Sequence, residues 1–218
     1  WSHIKLREPM PNPIMEEPIK LLLGLNREGF TKVLSGEQAL HGRSGGVGMR
    51  EALKRLNVPR EIAATKEQIR SGRRGERDKA VKRLGVLTTL EKNKMDPSSL
   101  IWDRLPVIPP KFRPVAKFQG TELISDANTL YKDVLEANKN LKEHRETFGS
   151  GGETTGQLYE AVKAATGLGS PVSVESQEKG VKGLLKQVLG TSPKNGLFQR
   201  KVVGSSLDLV GRGVIVPD

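Results

Sequence analysis

The sequence contains no cysteine and few aromatic residues. Among its 218 residues there are no Cys, three His and only 4% Phe, Trp and Tyr. The lack of Cys excludes disulfides, thiolate zinc sites and thiol nucleophiles, and the three scattered histidines do not have the spacing of metal ligands. No apolar run is long enough for a transmembrane helix, and no stretch resembles a signal peptide. These absences predict an intracellular protein with no metal or other cofactor bound to this chain.

Positive charge, in contrast, is abundant. Lys and Arg number 36 against 25 Asp and Glu, which gives a formal net charge of +11 and indicates a polyanionic partner. Only 35% of the residues are apolar, so the core is expected to be thin or shared. The 24 Gly and 13 Pro occur in clusters that separate helical blocks. The pattern predicts a mainly α-helical fold with small β elements.

A glycine-rich stretch precedes one of the helical blocks. Residues 42–48 read Gly-Arg-Ser-Gly-Gly-Val-Gly and lead into a helix expected from near Met49. A phosphate-binding loop of the Walker type needs a Gly-Lys-Ser/Thr ending, and this stretch does not have one. We therefore interpret it as an ordinary helix entry.

Residues 43–83 form the most basic part of the chain, with 13 basic and 5 acidic residues. One interpretation is a helix pair whose charged face is solvated; the other is direct contact with phosphates. Glycines at 72 and 75 are expected to interrupt the charged helix. The apolar residues expected to face inward are Leu53, Leu56, Ile62, Ile69, Val81 and Leu84.

Prolines shape two further segments. Four prolines within residues 1–19 favour a short strand at 3–6 followed by an extended loop. Residues 105–110, Leu-Pro-Val-Ile-Pro-Pro, predict a proline-locked linker. In residues 111–118 cations and aromatics alternate, which predicts a short strand and turn.

A helical hairpin is predicted after residue 125. Asp126 can cap a helix that runs to about Glu146, with one narrow apolar seam formed by Leu130, Val134, Ala137 and Leu141. Thr154 and Gln157 suggest a capping box for a second helix, whose apolar face carries Leu158, Val162 and Ala165. Together they predict an antiparallel hairpin that protrudes from the body and has polar outer faces.

Several motifs resemble the β′ subunit of multisubunit DNA-directed RNA polymerases. Residues 105–114 are similar to the family's LPVxPPxxRP run, and residues 125–142 to its SDLNxLYxxVxxxNxxLK. Residues 195–215 resemble its QGRFRxNLxGKRVDxSGRxVI, and residues 2–6 its GHIEL. The resemblance covers nearly the whole chain and preserves the order of the motifs.

The resemblance implies a structural map. It assigns residues 1–104 to the clamp body, 105–122 to the lid, 125–168 to the clamp coiled-coil hairpin, 169–180 to the rudder, 181–209 to a switch segment and 210–218 to the first strand of a double-psi β-barrel. The family's triple-aspartate magnesium motif has no counterpart here. The chain is thus expected to be a component of a nucleotidyltransferase that is not catalytic alone, with magnesium held elsewhere in the assembled enzyme.

The resemblance also implies partners and binding residues. The expected partners are the β-like and remaining β′ chains, template DNA, RNA and a sigma-like initiation factor. Residues expected near DNA or RNA are Lys194, Arg200, Lys201 and Arg212 in the switch and barrel segments and Lys111, Arg113 and Lys117 in the lid. Residues expected to bind the initiation factor are Asn138, Lys139, Asn140, Lys142, Tyr159, Glu160 and Lys163.

Departures from the family pattern favour a divergent phage, viral or split polymerase. Two family arginines that flank Phe198 are Leu197 and Gln199 here, and the zinc-ribbon cysteines are absent. The first residue, Trp1, suggests a processed, split or excised piece. Such a chain would be located in the cytoplasm, the nucleoid or a virion. The alternative is a stand-alone basic helical protein that binds nucleic acid or modulates a host polymerase by reusing a β′ segment.

Overall fold

The computed structural model describes residues 1–149, 151–190, 196, 198–205, 209, 211, 213 and 214. The strands of this part are β1 (Ser2–Pro11), β2 (Ile101–Val107), β3 (Val115–Phe118) and β4 (Thr121–Ile124). The α-helices are α1 (Glu16–Leu23), α2 (Arg27–Ser35), α3 (Gly45–Lys54), α4 (Val58–Ser71), α5 (Arg74–Lys92), α6 (Asp126–Phe148), α7 (Gly152–Thr166), α8 (Val174–Glu178) and α9 (Leu184–Leu189). Short 3-10 turns at Pro13–Met15, Pro97–Leu100 and Pro110–Phe112 and a π-helical turn at Phe198–Val203 complete the description.

Several helix ends follow from local sequence. The Asn26 side chain accepts a hydrogen bond from the Gly29 amide at the start of α2, and Asn57 does the same for the Arg60 amide at the start of α4. These caps satisfy amides that have no partner inside the helix. Gly24 ends α1 in the left-handed conformation, which glycine adopts without strain.

Strands β1 and β2 pair in two separate stretches. Residues 2–5 pair antiparallel with 104–107, and Met10 and Pro11 pair with Trp102 and Ile101. Between Lys5 and Met10 the register shifts, so residues 6–9 leave the ladder as an extended bulge. This bulge contains Leu6, Arg7, Glu8 and Pro9, and other elements of the fold contact it.

The core of the body lies between this sheet and helices α1 to α3. Its fully buried side chains include Met10, Ile19, Leu22, Val33, Met49 and Leu53. Helix α5 packs against α1, and α4 packs against α5. The helix pair predicted for the basic segment is therefore present, with the break between its helices at Gly72 and with Gly75 inside α5.

Helices α6 and α7 form the predicted antiparallel hairpin. The predicted seam is confirmed, because Leu130, Val134, Ala137 and Leu141 of α6 are buried with Leu158, Val162 and Ala165 of α7. The expectation that the hairpin protrudes is wrong for one of its faces. Helix α6 contacts β1, and α7 contacts α2 and β1, so this face lies against the body.

The expected fold class, mainly helical with small β elements, is confirmed for the described residues. Some local expectations are wrong. Residues 105–107 belong to β2 instead of a linker, β1 continues to Pro11, and α3 begins at Gly45 instead of near Met49. Prolines are tolerated in β1 and β2 because both strands are sheet edges. Val81 is 54% exposed, because it lies on the outer side of α5.

The strand predicted at 210–218 lies almost entirely outside the described residues. Before it, residues 184–189 form the short helix α9. Within the described residues, no helix has both the length and the apolar character needed to cross a membrane.

The close approach of the α3 backbone to β1 predicts a stability effect at Gly46. A Cβ atom at this position would lie 1.6 Å from the carbonyl oxygen of Pro9, a backbone atom that cannot rotate away. We expect Gly46→Ala to lower the free energy of unfolding by about 3 kcal/mol, because α3 must move off the bulge of β1. Urea denaturation measures the change.

Gly85→Ala is the matched control, because a Cβ at Gly85 in α5 meets nothing within 4 Å. There we expect no loss or a gain of about 0.5–1 kcal/mol from the higher helix propensity of Ala. Equal effects of the two substitutions would contradict the proposed packing of α3 against β1.

Candidate functional site

The glycine-rich stretch binds a carboxylate from within the chain. The backbone amide of Gly46, in the first turn of α3, donates a hydrogen bond to the Glu8 carboxylate. A Cβ at Gly45 would lie 2.0 Å from Oε1 of Glu8, so the carboxylate occupies the space beside this turn. A helix N-terminus attracts anions, and here the anion is Glu8 from the bulge of β1. The interpretation as a helix entry is confirmed.

Glu8 joins the body to both helices of the hairpin. Its side chain is 4% exposed and accepts hydrogen bonds from Nη2 of Arg145 in α6 and, at 3.2 Å, from Oγ1 of Thr155 in α7. Burial raises the pKa of the Glu8 carboxyl, and this effect outweighs the opposite influence of Arg145, Thr155 and the Gly46 amide. The carboxylate is thus desolvated and bound by three elements at once.

Asn138 fills the gap that the bulge leaves in the sheet. Its Oδ1 accepts a hydrogen bond of 2.8 Å from the amide of Arg7, and its Nδ2 donates one of 3.0 Å to the carbonyl of Lys5. The side-chain amide thus pairs with β1 next to the point where β2 stops doing so. Asn138, one of the residues expected to bind an initiation factor, is buried, and its side-chain amide is used inside the fold.

A second polar cluster fixes α7 to α1. The hydroxyl of Tyr159 donates a 2.8 Å hydrogen bond to Oε2 of Glu16, and Nζ of Lys163 lies 3.0 Å from the same oxygen. The Tyr159 ring lies 5.9 Å from that of Phe30 in α2, and the residue is only 2% exposed. The expectation that Tyr159 faces outward is wrong because its hydroxyl and ring are both used inside the fold.

The charges of this cluster shift two pKa values in opposite directions. Burial by itself would raise the pKa of Glu16, but hydrogen bonds from Lys163 and Tyr159 and the charge of Lys163 lower it overall. Burial and the neighbouring Glu16 carboxylate raise the pKa of the Tyr159 hydroxyl, so it remains a donor. The cluster is a stable ionic contact between α1 and α7.

The outer face of α6 retains the exposed residues of the predicted factor-binding surface. Lys139, Asn140 and Lys142 are exposed there, with Leu135, a 53% exposed apolar side chain, on the same helix. Each lysine has a glutamate four residues later, at 3.6 Å from Lys139 to Glu143 and from Lys142 to Glu146. Leu135, Lys139 and Lys142, at i, i+4 and i+7, therefore share one face of α6, and the charges of this face are locally compensated.

On α7, the predicted factor-binding residues Lys163 and Glu160 differ in exposure, and Glu160 lines a groove toward α2. Lys163 is held by Glu16 and is 24% exposed, whereas Glu160 is 54% exposed. The groove has a volume of about 530 Å³ and is lined by Glu37, Glu153 and Glu160, among others. Of the predicted α7 residues, Glu160 is the one that presents its side chain to solvent.

Arg113 holds the start of the predicted lid to the hairpin. Its Nε donates to the carbonyl of Ile108 at 2.9 Å, and its Nη1 donates to Oδ1 of Asn128 in α6 at 2.7 Å. Nδ2 of Asn128 donates in return to the carbonyl of Arg113 at 3.0 Å. Tyr131 adds a contact nearby, because its hydroxyl accepts a 3.2 Å hydrogen bond from the amide of Ile108. The guanidinium is therefore engaged within the chain.

The other two lid cations are exposed. Lys117 of β3 lies opposite Glu122 of β4, 3.7 Å away across the strand pair, and Lys111 lies in the turn before β3. Exposed apolar side chains accompany them, namely Phe112, Val115, Leu123 and Ile124. The predicted strand and turn at 111–118 thus form part of a small β-hairpin that presents both cations and apolar groups to solvent.

The residues predicted to lie near template DNA are described only in part. Lys194 and Arg212 lie outside the described residues. The backbone of Arg200 and Lys201 lies in the π-helical turn Phe198–Val203. No group of three or more His, Asp or Glu side chains arranged to hold a metal ion occurs among the residues that the structure describes.

Sequence reasoning missed the residues that join the elements. Glu8 and Glu16 lie in the segment that was interpreted as an extended loop, and Asn128 lies near the start of the helix predicted after Asp126. Their partners are as far as 147 positions away in the sequence, as for Glu8 and Thr155. One signal was available. In a strand, Glu8 lies two residues after apolar Leu6 and therefore on the same face, and a buried carboxylate needs partners.

Comparisons with known proteins agree with the family resemblance seen in the sequence. No family model matches the chain. The DNA-directed RNA polymerase subunit beta′ of Streptococcus uberis is 32% identical over 216 residues, which cover 95% of this chain and 17% of the relative. The same subunit of Streptococcus suis is 33% identical over 180 residues, 79% of this chain and 14% of the relative. That of Lacticaseibacillus casei is 29% identical over 185 residues, 82% of this chain and 15% of the relative.

The fold defines a basic, mainly helical unit whose polar clusters join its own elements. Within that class, the chain is homologous to a segment of the DNA-directed RNA polymerase β′ subunits. The family resemblance noted in the sequence is thereby confirmed. The chain spans less than a fifth of the length of these curated relatives.

The lowered pKa of Glu16 predicts a pH-dependent stability. A carboxyl whose folded pKa lies below its unfolded value, 4.5, stabilises the fold above that pH and loses this contribution as pH falls below it. We expect Glu16→Gln to be less stable than the parent chain at pH 7, with a difference that shrinks as pH falls from 5 towards 3. Urea denaturation across this range measures it.

Glu28→Gln is the control, because Glu28 makes an exposed pair with Lys32 on α2. There we expect a change within about 0.5 kcal/mol at every pH. If Glu16→Gln behaved in the same way, the ionic contact between α1 and α7 would not contribute to stability.

The contacts of Arg113 predict that it is needed for stability. We expect Arg113→Gln to lower the free energy of unfolding by about 2 kcal/mol, because the carbonyl of Ile108 and the amide of Asn128 lose a charged donor. Lys111→Gln, at an exposed position two residues earlier, is expected to change it by less than about 0.5 kcal/mol. Equal stabilities of the two variants in thermal unfolding would assign Arg113 to the exposed lid surface instead.

Proposed function

We propose that this chain acts as part of the β′ subunit of a DNA-directed RNA polymerase. The observation that carries the proposal is the similarity to β′ subunits along 216 residues, in one continuous order of motifs. In this role the chain contributes to nucleotidyl transfer without performing it alone. The magnesium ion would be held by residues outside this chain, in the assembled enzyme with its β-like and remaining β′ chains.

The proposed role of each segment follows the family map. Residues 1–104 act as clamp body, 105–122 as lid, 125–168 as the coiled-coil hairpin, 169–180 as rudder, 181–209 as switch segment and 210–218 as the start of the barrel. Support for the hairpin comes from α6 and α7, which occupy 126–148 and 152–166. Divergence from the family motifs supports a phage, viral or split polymerase acting inside a cell.

The hydrogen bonds of the lid side chains reduce the set of residues that we propose to contact nucleic acid. Lys111 and Lys117 remain candidates for guiding RNA away from the hybrid, because both are exposed. Arg113 acts instead as the residue that positions the lid on α6. Lys194, Arg200, Lys201 and Arg212 are proposed for template DNA on the family resemblance alone.

The proposed surface for an initiation factor is the outer face of α6. Leu135 supplies an exposed apolar side chain, Lys139 and Lys142 lie on the same face one and two turns later, and Asn140 lies beside this face. A partner of this surface does not need a net charge of one sign, because the lysines of the surface are compensated by glutamates on the same helix. Glu160 of α7 is a further exposed residue of the hairpin.

Affinity purification from the native background tests the function. A tagged chain is expected to recover the remaining polymerase subunits, and the recovered complex is expected to synthesise RNA on a DNA template. Failure to recover any large partner would instead favour the stand-alone nucleic-acid-binding or host-polymerase-modulating protein.

A surface variant tests the factor-binding role separately. We expect Leu135→Ser with Lys139→Glu and Lys142→Glu to retain the other subunits and RNA synthesis from a tailed template, but to lower factor-dependent initiation by about tenfold or more. Lys32→Glu, an exposed change on α2, is the control and is expected to leave both activities intact. Equal initiation by the triple variant and the parent would exclude this face of α6.

A further inference from the structure

The groove between α2 and α7 has the size of a binding site. Its volume is about 530 Å³, which is within the range of ligand-binding cavities. Side chains of α2 and the turn after it, of α7 and of residues 170–172 line it. We call this cavity the α2–α7 groove.

Small residues on both helices keep the α2–α7 groove open. Gly156 of α7 lines the groove, and a Cβ atom at this position would meet nothing within 4 Å, so the space beside it is free. Thr31 and Ser35, one turn apart on α2, contribute two small side chains. A glycine with free space beside it lets the backbone of another chain approach closely.

The groove is negatively charged, although the chain has a formal net charge of +11. Three exposed carboxylates line it, those of Glu37, Glu153 and Glu160, and none of the described residues that line it is Lys or Arg. Among the ion pairs of the described residues, Glu37 and Glu153 take part in none, and Glu160 takes part in one, with Lys163 at 3.8 Å. The carboxylates are therefore available to cations of another molecule.

The acidic part of the groove is short. A smaller cavity of about 190 Å³ adjoins it, because Thr31, Ser35, Gly156 and Glu160 line both. Arg27 and Lys163 also line the smaller cavity. The charge thus changes where the two cavities meet, so the groove suits an occupant with a few cations and not a long polycation.

Apolar side chains lie in the groove beside the carboxylates. Pro171 and Val172 line it from the loop after α7, and Val172 is 39% exposed. An occupant therefore needs apolar groups as well as cations. In an extended peptide, successive side chains point to opposite sides. A segment in which cations and apolar residues alternate presents both kinds of side chain at once.

We propose that the α2–α7 groove binds a short extended segment of another protein, in which Lys or Arg alternates with apolar residues. The cations of the segment pair with Glu37, Glu153 and Glu160, and its apolar side chains contact Pro171 and Val172. The proposal goes beyond the polymerase role and does not rest on it, because it follows from the lining of the groove alone.

Peptide binding to the 218-residue chain tests the proposal. The probe is the fluorescein-labelled hexapeptide Val-Lys-Val-Arg-Val-Lys, followed by anisotropy at low salt. Because the chain itself is strongly positive, binding of this peptide elsewhere on the surface is opposed by repulsion. The neutral peptide Val-Gln-Val-Gln-Val-Gln is expected not to bind.

A first variant fills the groove. Gly156→Leu places a side chain in free space and raises helix propensity, so it is expected to fold, but to weaken peptide binding by about tenfold or more. Gly75→Leu is the control, because a Cβ at this position in α5 also meets nothing within 4 Å. It is expected to bind the peptide like the parent chain. Thermal unfolding checks that both variants are folded.

A second pair of variants tests the charge at equal net charge. We expect Glu153→Gln with Glu160→Gln to weaken peptide binding by about fivefold and to make it less sensitive to salt. Glu67→Gln with Glu91→Gln changes two exposed carboxylates of α4 and α5 instead. It is expected to stay within about twofold of the parent chain.

Several results would overturn the proposal. They are no binding of the basic hexapeptide, equal binding of the neutral one, and equal weakening by a variant and its control. Spermidine that binds as tightly as the basic hexapeptide would assign the groove to small polyamines instead of a protein segment. These measurements use the chain alone, so their outcome is separate from the recovery of polymerase subunits that tests the proposed function.

Discussion

The bulge of β1 is the constraint on which the arrangement of the described elements depends. Residues 6–9 leave the ladder with β2, and backbone groups of this segment and the Glu8 carboxylate form hydrogen bonds with other elements. Asn138 of α6 pairs with the backbone, and the start of α3, Arg145 and Thr155 surround Glu8. Buried polar groups are stable only when they have such partners, so the bulge determines where α3, α6 and α7 can lie.

This constraint divides the polar residues of the hairpin into two sets. On the inner face, Asn138, Arg145, Thr155 and Tyr159 complete hydrogen bonds of the body. On the outer face, the lysines of α6 are compensated by glutamates one turn away. The exposed cations between residues 66 and 82, around the turn that joins α4 and α5, belong to neither set: among the ion pairs of the described residues they contribute one, between Arg70 and Glu67. The described surface is therefore mixed in charge on α6 and strongly positive at this turn.

The motifs that carry the family resemblance make structural contacts in this fold. The Leu-Pro-Val run forms the end of β2 beside β1, and Arg113 and Asn128 bind each other at the base of the hairpin. Tyr131 contacts the same turn through the amide of Ile108. The similarity to β′ subunits is thus concentrated partly in residues that set the geometry of the lid and hairpin.

The sequence by itself determined the helical character, the seam of α6 and α7 and the family, because these depend on local periodicity and on motifs a few residues long. It also excluded a Walker loop, since that motif needs particular neighbouring residues. Only the tertiary structure decided which polar side chains face solvent. Asn138, Tyr159 and Lys139 are all polar residues of predicted helices, so the sequence does not distinguish them. Asn138 and Tyr159 bind partners more than 130 positions away, whereas Lys139 pairs with Glu143 on its own helix. The pairing of Asn138 depends on the β1 bulge and that of Tyr159 on the position of α1, and no local pattern encodes either of them.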